Sequence, residues 1–230
     1  MKFPETHPIV LGTVTTPAGL RALAKKSLSA DAIEVRVDAL LAENVSVEEI
    51  ETALKARKHP VLLTLRIPAE GGRRPWKVVE RRELYLRLLP EVEAIDVELA
   101  TAQAMQPVIE RARQTGKTIV LSAHALKKPA TSAQFSQWVA QFDPQPRTIL
   151  KIAAQIKSWR DLQQLAAILV NHPDWPVAVM GLGPHAAQSR AALTALGSRL
   201  VYGYLDQPAA PGQPSAAAVK KMALAVKLEK

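Results

Sequence analysis

At 230 residues and 48% hydrophobic composition the chain can bury a sizeable core as one domain, since α/β barrels of roughly 200–250 residues stay undivided. The absence of cysteine excludes a disulfide framework, a thiolate nucleophile and any cysteine-ligated zinc or iron–sulfur centre. The formal charge of +9 comes from cations scattered over helical stretches (Arg81, Arg82, Arg111, Arg113, Lys220, Lys221) with no aromatic residues interleaved as a base-stacking platform requires, so the expected partner is a small anion and not nucleic acid.

Glu5 and His7 precede an apolar run too short for a signal-peptide core, and nothing later resembles a membrane span, so a cytoplasmic, unprocessed protein with no membrane contact is expected. Short β-branched runs then alternate with longer amphipathic ones, the sequence form of βα units on a parallel sheet. The strand candidates are residues 9–14, 33–37, 61–66, 94–99, 118–122, 148–152, 177–180 and 200–204, nearly continuous in apolar character as strands covered on both faces should be. Between them, Thr16-Pro17 offers an N-cap with proline at the first helical position. Ser46 to Glu49 and Ser158 to Asp161 have capping-box spacing. Gly116 and Gly197 stand just past helical runs, where a left-handed residue is needed. The last helix is expected from Gln213-Pro-Ser215 to the C-terminus, with no linker long enough to mark a second domain. Eight units predict a single (β/α)8 barrel over residues 1–230, because doubly wound open sheets more often have about five or six strands.

In such a barrel chemistry belongs at the C-terminal strand ends. Those positions read Glu34 and Arg36, Arg66, Glu98, His124, Lys151, then Ser189-Arg190 and Gln213 after the last two strands. Gathering so many ionisable groups above an apolar core is costly unless they are used. Lys151 lies in Thr148-Ile-Leu-Lys-Ile-Ala-Ala154, and a closed barrel has no edge from which it could point to water. Turned inward near other cations, its amine is expected to serve as a nucleophile toward a ketone. His124, one strand earlier, has the chemistry to move protons beside an imine. Glu70, in Glu70-Gly-Gly72 whose paired glycines let a loop fold over the mouth, could orient His124 or balance Arg66, or belong to a surface turn with a salt bridge. Arg190 could hold a carboxylate bidentately, while the glycines after the seventh strand would equally suit a phosphate. His7, His59, His172 and His185 have no carboxylate or histidine at ligand spacing, so no metal site is expected.

Together these segments resemble the type I 3-dehydroquinate dehydratases. The matching blocks are Glu34-Val-Arg-Val-Asp38, Thr64-Leu-Arg66 with Glu70-Gly-Gly72, Asp96-Val-Glu-Leu99, Ser122-Ala-His124, Leu150-Lys-Ile-Ala153, Ser189-Arg190 and Ala210-Pro-Gly-Gln213, in family order over nearly the whole chain. The resemblance implies dehydration of 3-dehydroquinate to 3-dehydroshikimate, a shikimate-pathway step toward aromatic amino acids, without cofactor or metal and often by a homodimer. It implies an imine on Lys151, proton transfer by His124, orientation of His124 by Glu70, a carboxylate held by Arg190 and Gln213, ring contacts from Glu34 and Arg66, and Arg36 as buttress. The chain departs from the pattern at Ala125, where an aspartate is common, at Leu182 and Ala186, where a methionine and a glycine are usual, and at Ala209, where a serine often stands. A class I aldolase-like Schiff-base lyase and a catalytically silent ligand-binding paralogue are the competing readings.

Overall fold

Eight parallel strands form the sheet of the computed structural model, which describes residues 1–5, 8–208 and 212–226. His7, Ala209, Ala210 and Pro211 lie outside the described residues. The strands are β1 (Ile9–Val14), β2 (Ala32–Arg36), β3 (Val61–Thr64), β4 (Ala94–Glu98), β5 (Thr118–Ala125), β6 (Thr148–Gln155), β7 (Val177–Leu182) and β8 (Leu200–Tyr204). Between and after them run α1 (Pro17–Arg21), α2 (Val37–Ala42), α3 (Val47–Lys55), α4 (Val78–Leu88), α5 (Gln106–Gln114), α6 (Ser132–Ala140), α7 (Trp159–Asn171), α8 (Ala186–Ala195) and α9 (Ala216–Val226). This is the (β/α)8 arrangement that the alternation predicts.

The strand order is β7-β6-β5-β4-β3-β2-β1-β8, so β1 joins β8 by a ladder and the ring meets at a seam between β7 and β8. That seam is bridged by local bonds. Arg199 N donates to Val177 O at 2.9 Å, and the Ser198 hydroxyl accepts from Val179 N at 3.0 Å and donates to Val179 O at 3.1 Å.

Three strands run further than their sequence suggests. Between β5 and β6 the pairing continues from Ile119↔Thr148 through Ser122↔Lys151 to Ala125↔Ala154, and β7 follows to Leu182. Ladder bonds are backbone bonds, so a serine or histidine side chain does not end them. Three strands stop earlier than expected, β4 among them because Leu99 opens a 3-10 turn. Val37 opens α2, and Arg66 N turns out of the ladder to donate to the Asp38 carboxylate at 3.1 Å.

The helices end where their caps dictate. Ser46 accepts from Glu49 N at 3.2 Å and Ser158 from Asp161 N at 3.3 Å, each completing a capping box, and Thr131 with Gln134 forms a third. Gly116 (φ 67°) and Gly197 (φ 99°) are left-handed past α5 and α8. The buried residues of α3 (Ile50, Leu54) and α7 (Leu165, Ile168, Leu169) sit at helical spacing against the strands' outer face. Inside the ring, Leu11, Leu62, Ala94, Val120, Ala178 and Leu200 pack together and form the floor of the site. Among the described residues no helix is long and apolar enough to cross a membrane.

Candidate active site

Strand alternation decides which side chains enter the barrel, and on β2, β4, β5 and β6 it sends in Glu34, Asp96 with Glu98, Ser122 with His124, and Lys151. Glu98 ends its strand and His124 stands one residue before the end of its own, while Glu34, Asp96, Ser122 and Lys151 sit midway along theirs. The result is a cleft of about 250 Å³ whose wall includes Glu34, Arg66, His124, Lys151, Arg190 and Gln213, with Glu70 at its edge.

Lys151 is buried, and its ammonium lies 2.9 Å from Asp96 Oδ2 and 3.9 Å from Glu34 Oε1, over the face of Tyr202 at 4.4 Å. The sequence reading places cations beside this lysine. The structure places carboxylates there, because β4 turns Asp96 inward, and Arg66 shares that carboxylate from the other side at 2.9 Å. Burial alone would raise the Asp96 carboxyl, but Arg66 and Lys151 overcome it and hold the group far below the usual carboxylate range. Glu34 is fixed as an acceptor by the hydroxyls of Thr13 at 3.0 Å and Thr64 at 3.1 Å.

His124 Nδ1 sits 2.7 Å from Glu70 Oε2. Burial, reinforced by Arg66 and Lys151, holds the imidazole well below its ordinary value, and burial pushes the Glu70 carboxyl up to about 7. The imidazole is therefore neutral near pH 7. With Nδ1–H donated to Glu70, Nε2 keeps a free lone pair with which to take a proton.

Arg190, on α8, is nearly fully buried and donates to carbonyls, Ala186 O at 2.9 Å and Tyr202 O at 3.3 Å. Among the described residues it has no carboxylate partner, and burial lowers it to about 10. An anionic ligand group would complete it. Ala186, one of the departures, supplies that carbonyl after closing a turn onto Gly183 O at 3.0 Å. Leu182 lines the cleft wall and Ala125 ends β5 opposite Ala154.

Arg36 does not reach across the cleft. It forks onto Asp38 at 2.9 and 2.8 Å and donates to Gly71 O at 3.1 Å. Asp38 also takes the backbone N–H of Arg66 at 3.1 Å and of Arg73 at 3.0 Å, so the segment carrying Glu70 is tied to the end of β2.

Two residues that face Lys151 were not singled out in the sequence. Asp96 shows there as a second acid two places before Glu98 in a strand otherwise buried and apolar, a usable signal. Tyr202 shows only as a core aromatic. Its hydroxyl is buried and makes no hydrogen bond among the described residues. Among the described residues no three His, Asp or Glu side chains converge as a metal-binding group.

The family model described as type I 3-dehydroquinase matches residues 9–227, almost the whole chain. The chain belongs to the type I 3-dehydroquinase family. Curated relatives agree. A 3-dehydroquinate dehydratase of Methanosarcina acetivorans is 32% identical over 203 residues, covering 84% of each chain, and one of Thermodesulfovibrio yellowstonii is 29% identical over 186 residues, covering 80% of each. The solved 3-dehydroquinate dehydratase of Geobacillus kaustophilus superposes with a TM-score of 0.81 at 22% identity, over 96% of this chain and 91% of that one, and shares its fold.

Proposed function

We propose that this type I 3-dehydroquinase dehydrates 3-dehydroquinate to 3-dehydroshikimate through an imine on Lys151. One observation carries the reading. A buried lysine and a partly buried neutral histidine, on adjacent strands, open into one cleft that is also lined by a guanidinium without a carboxylate partner among the described residues.

The Lys151 amine attacks the C3 ketone and water leaves, forming an iminium. Asp96 supports this step by taking up the ammonium's charge before reaction and remaining beside the iminium after it. The iminium draws electrons from the neighbouring C2–H bond, and His124 Nε2 takes that proton while Glu70 holds Nδ1. The resulting enamine expels the C1 hydroxyl, which leaves as water with the proton returned by His124. Hydrolysis of the imine then frees the product. Arg190 and Gln213 hold the substrate carboxylate, and Glu34 and Arg66 face the ring oxygens. The pairing of Arg36 with Asp38 and Gly71 supports a buttressing role.

Homodimeric assembly, residence in the cytoplasm, a single catalytic domain and independence of nucleic acid complete this reading. Light scattering on the purified chain tests the first.

Purified protein should convert 3-dehydroquinate to an ultraviolet-absorbing enone and, with borohydride and substrate, acquire an adduct that peptide mapping places on Lys151. Lys151→Ala should lose both. A wild-type chain with neither turnover nor adduct sinks the proposal, and binding without turnover would favour the silent paralogue.

A further inference from the structure

We propose that Arg81, a residue of α4 that does not line the cleft, is a positioning residue for Lys151, acting through the buried chain Arg81–Glu98–Arg66–Asp96–Lys151. The inference rests on the reading that Lys151 forms the imine.

Each carboxylate of the chain divides its two oxygens between two cations. Glu98 Oε2 takes Arg81 and Oε1 takes Arg66 at 3.1 Å. Asp96 Oδ1 takes Arg66 at 2.9 Å and Oδ2 takes Lys151 at 2.9 Å. Arg81 is itself fixed by donating to Leu65 O at 2.9 Å and to the Thr101 hydroxyl at 2.9 Å. The Ser122 hydroxyl ties the middle, accepting from Arg66 at 2.7 Å and donating to Asp96 at 2.6 Å.

Arg81 is 2% exposed and Glu98 fully buried. Desolvating such a pair is costly before their attraction repays it, and well-packed apolar residues would fasten α4 to the barrel at least as well. What the pair adds is control of Arg66. Without Arg81 the whole charge of Glu98 falls on Arg66 and draws it away from Asp96. Asp96 then acts undivided on the lysine and favours the ammonium, which cannot attack a ketone.

The other groups facing Lys151 stay in place in that variant. They are Glu34 from β2, His124 from β5 and the Tyr202 ring from β8, while β7 adds no charge through Ala178 and Met180. Arg190 donates to the carbonyls of Ala186 and Tyr202 and to no member of the chain, so its hold on the carboxylate is spared.

The test is the pH dependence of borohydride-trapped adduct formation with 3-dehydroquinate, read beside steady-state kinetics. R81M should form adduct about tenfold more slowly near pH 7 and recover at higher pH, a displacement of about one pH unit, with KM within threefold of wild type. R81K should recover part of the loss. E98Q, which removes the competitor for Arg66, should displace the profile the other way, and R81M should add less than twofold in that background. An R81M profile superimposing on wild type overturns the inference, as does a loss independent of pH, which marks a merely structural role. So does a displacement of equal size in the E98Q background. If R81M does not fold, R81K decides, and its superposition on wild type is the overturning result. A wild-type chain that gives no adduct at any pH overturns the imine reading itself, which is visible before any variant is made.

Discussion

Arg190 is a buried cation with no carboxylate partner among the described residues, and Arg190→Met should make the protein without substrate more stable while making the enzyme far worse. Burial takes the guanidinium from 12.5 to about 10, and at about 1.36 kcal/mol per pH unit that is a penalty of roughly 3 kcal/mol in the folded state. At pH 7 the group is charged folded and unfolded, so the full penalty is present there, and it is relieved only as pH rises from about 10 toward 12.5. Methionine removes the charge and keeps most of the stem. It also gives up two donations to carbonyls, of which Ala186 O retains the Ser189 hydroxyl at 2.9 Å. Allowing about 1–2 kcal/mol for that loss leaves a gain of roughly 1–2 kcal/mol, or a rise in Tm of about 2–8 °C for a chain of this size. Binding moves the opposite way. Removing one partner of a buried charge pair costs about 2–5 kcal/mol, so kcat/KM should fall by roughly 30-fold to several-thousand-fold. Scanning calorimetry with and without 3-dehydroquinate, beside steady-state kinetics, reads both. An R190M protein that melts below wild type without ligand, or that is stabilised by substrate as much as wild type, refutes the reasoning.

His124→Ala should still give the borohydride adduct on Lys151 but lose elimination, and undiminished turnover would remove His124 from the mechanism. Glu70→Gln should move the acid limb of kcat/KM to lower pH. In wild type that limb requires loss of a proton from the coupled Glu70–His124 pair, with the carboxyl raised to about 7, and an unmoved limb would show that Glu70 does not govern it. Tyr202→Phe keeps the ring under Lys151 and removes a hydroxyl without a partner among the described residues, so the variant should unfold no more easily than wild type and keep kcat within about twofold. A drop in stability above about 1 kcal/mol by chemical denaturation would mean that the hydroxyl is bonded.

The fold was legible because a parallel barrel buries both faces of every strand, leaving apolar runs that caps and glycines then cut to length. Lys151, His124 and Arg190 stood out for the converse reason, as charges where apolar side chains were due. What stayed hidden is cross-strand adjacency. Asp96 and Lys151 are 55 positions apart, and no periodicity in the chain records that one carboxylate oxygen meets that amine. The ends of β5 and β6 were missed on related grounds, since polar side chains look like strand terminators while the backbone ladder beneath them runs on.

The seam between β7 and β8 bears on how the ring responds to its ligand. Arg190 follows β7, Gln213 follows β8, and the Arg190 guanidinium already reaches over to Tyr202 O. On the proposed binding mode a single carboxylate clasps both sides of the one junction that lacks a ladder. Substrate then acts as a ninth fastening of the barrel, and the amide of Val179, which donates to the Ser198 hydroxyl at the seam, should exchange its hydrogen more slowly when the cleft is filled.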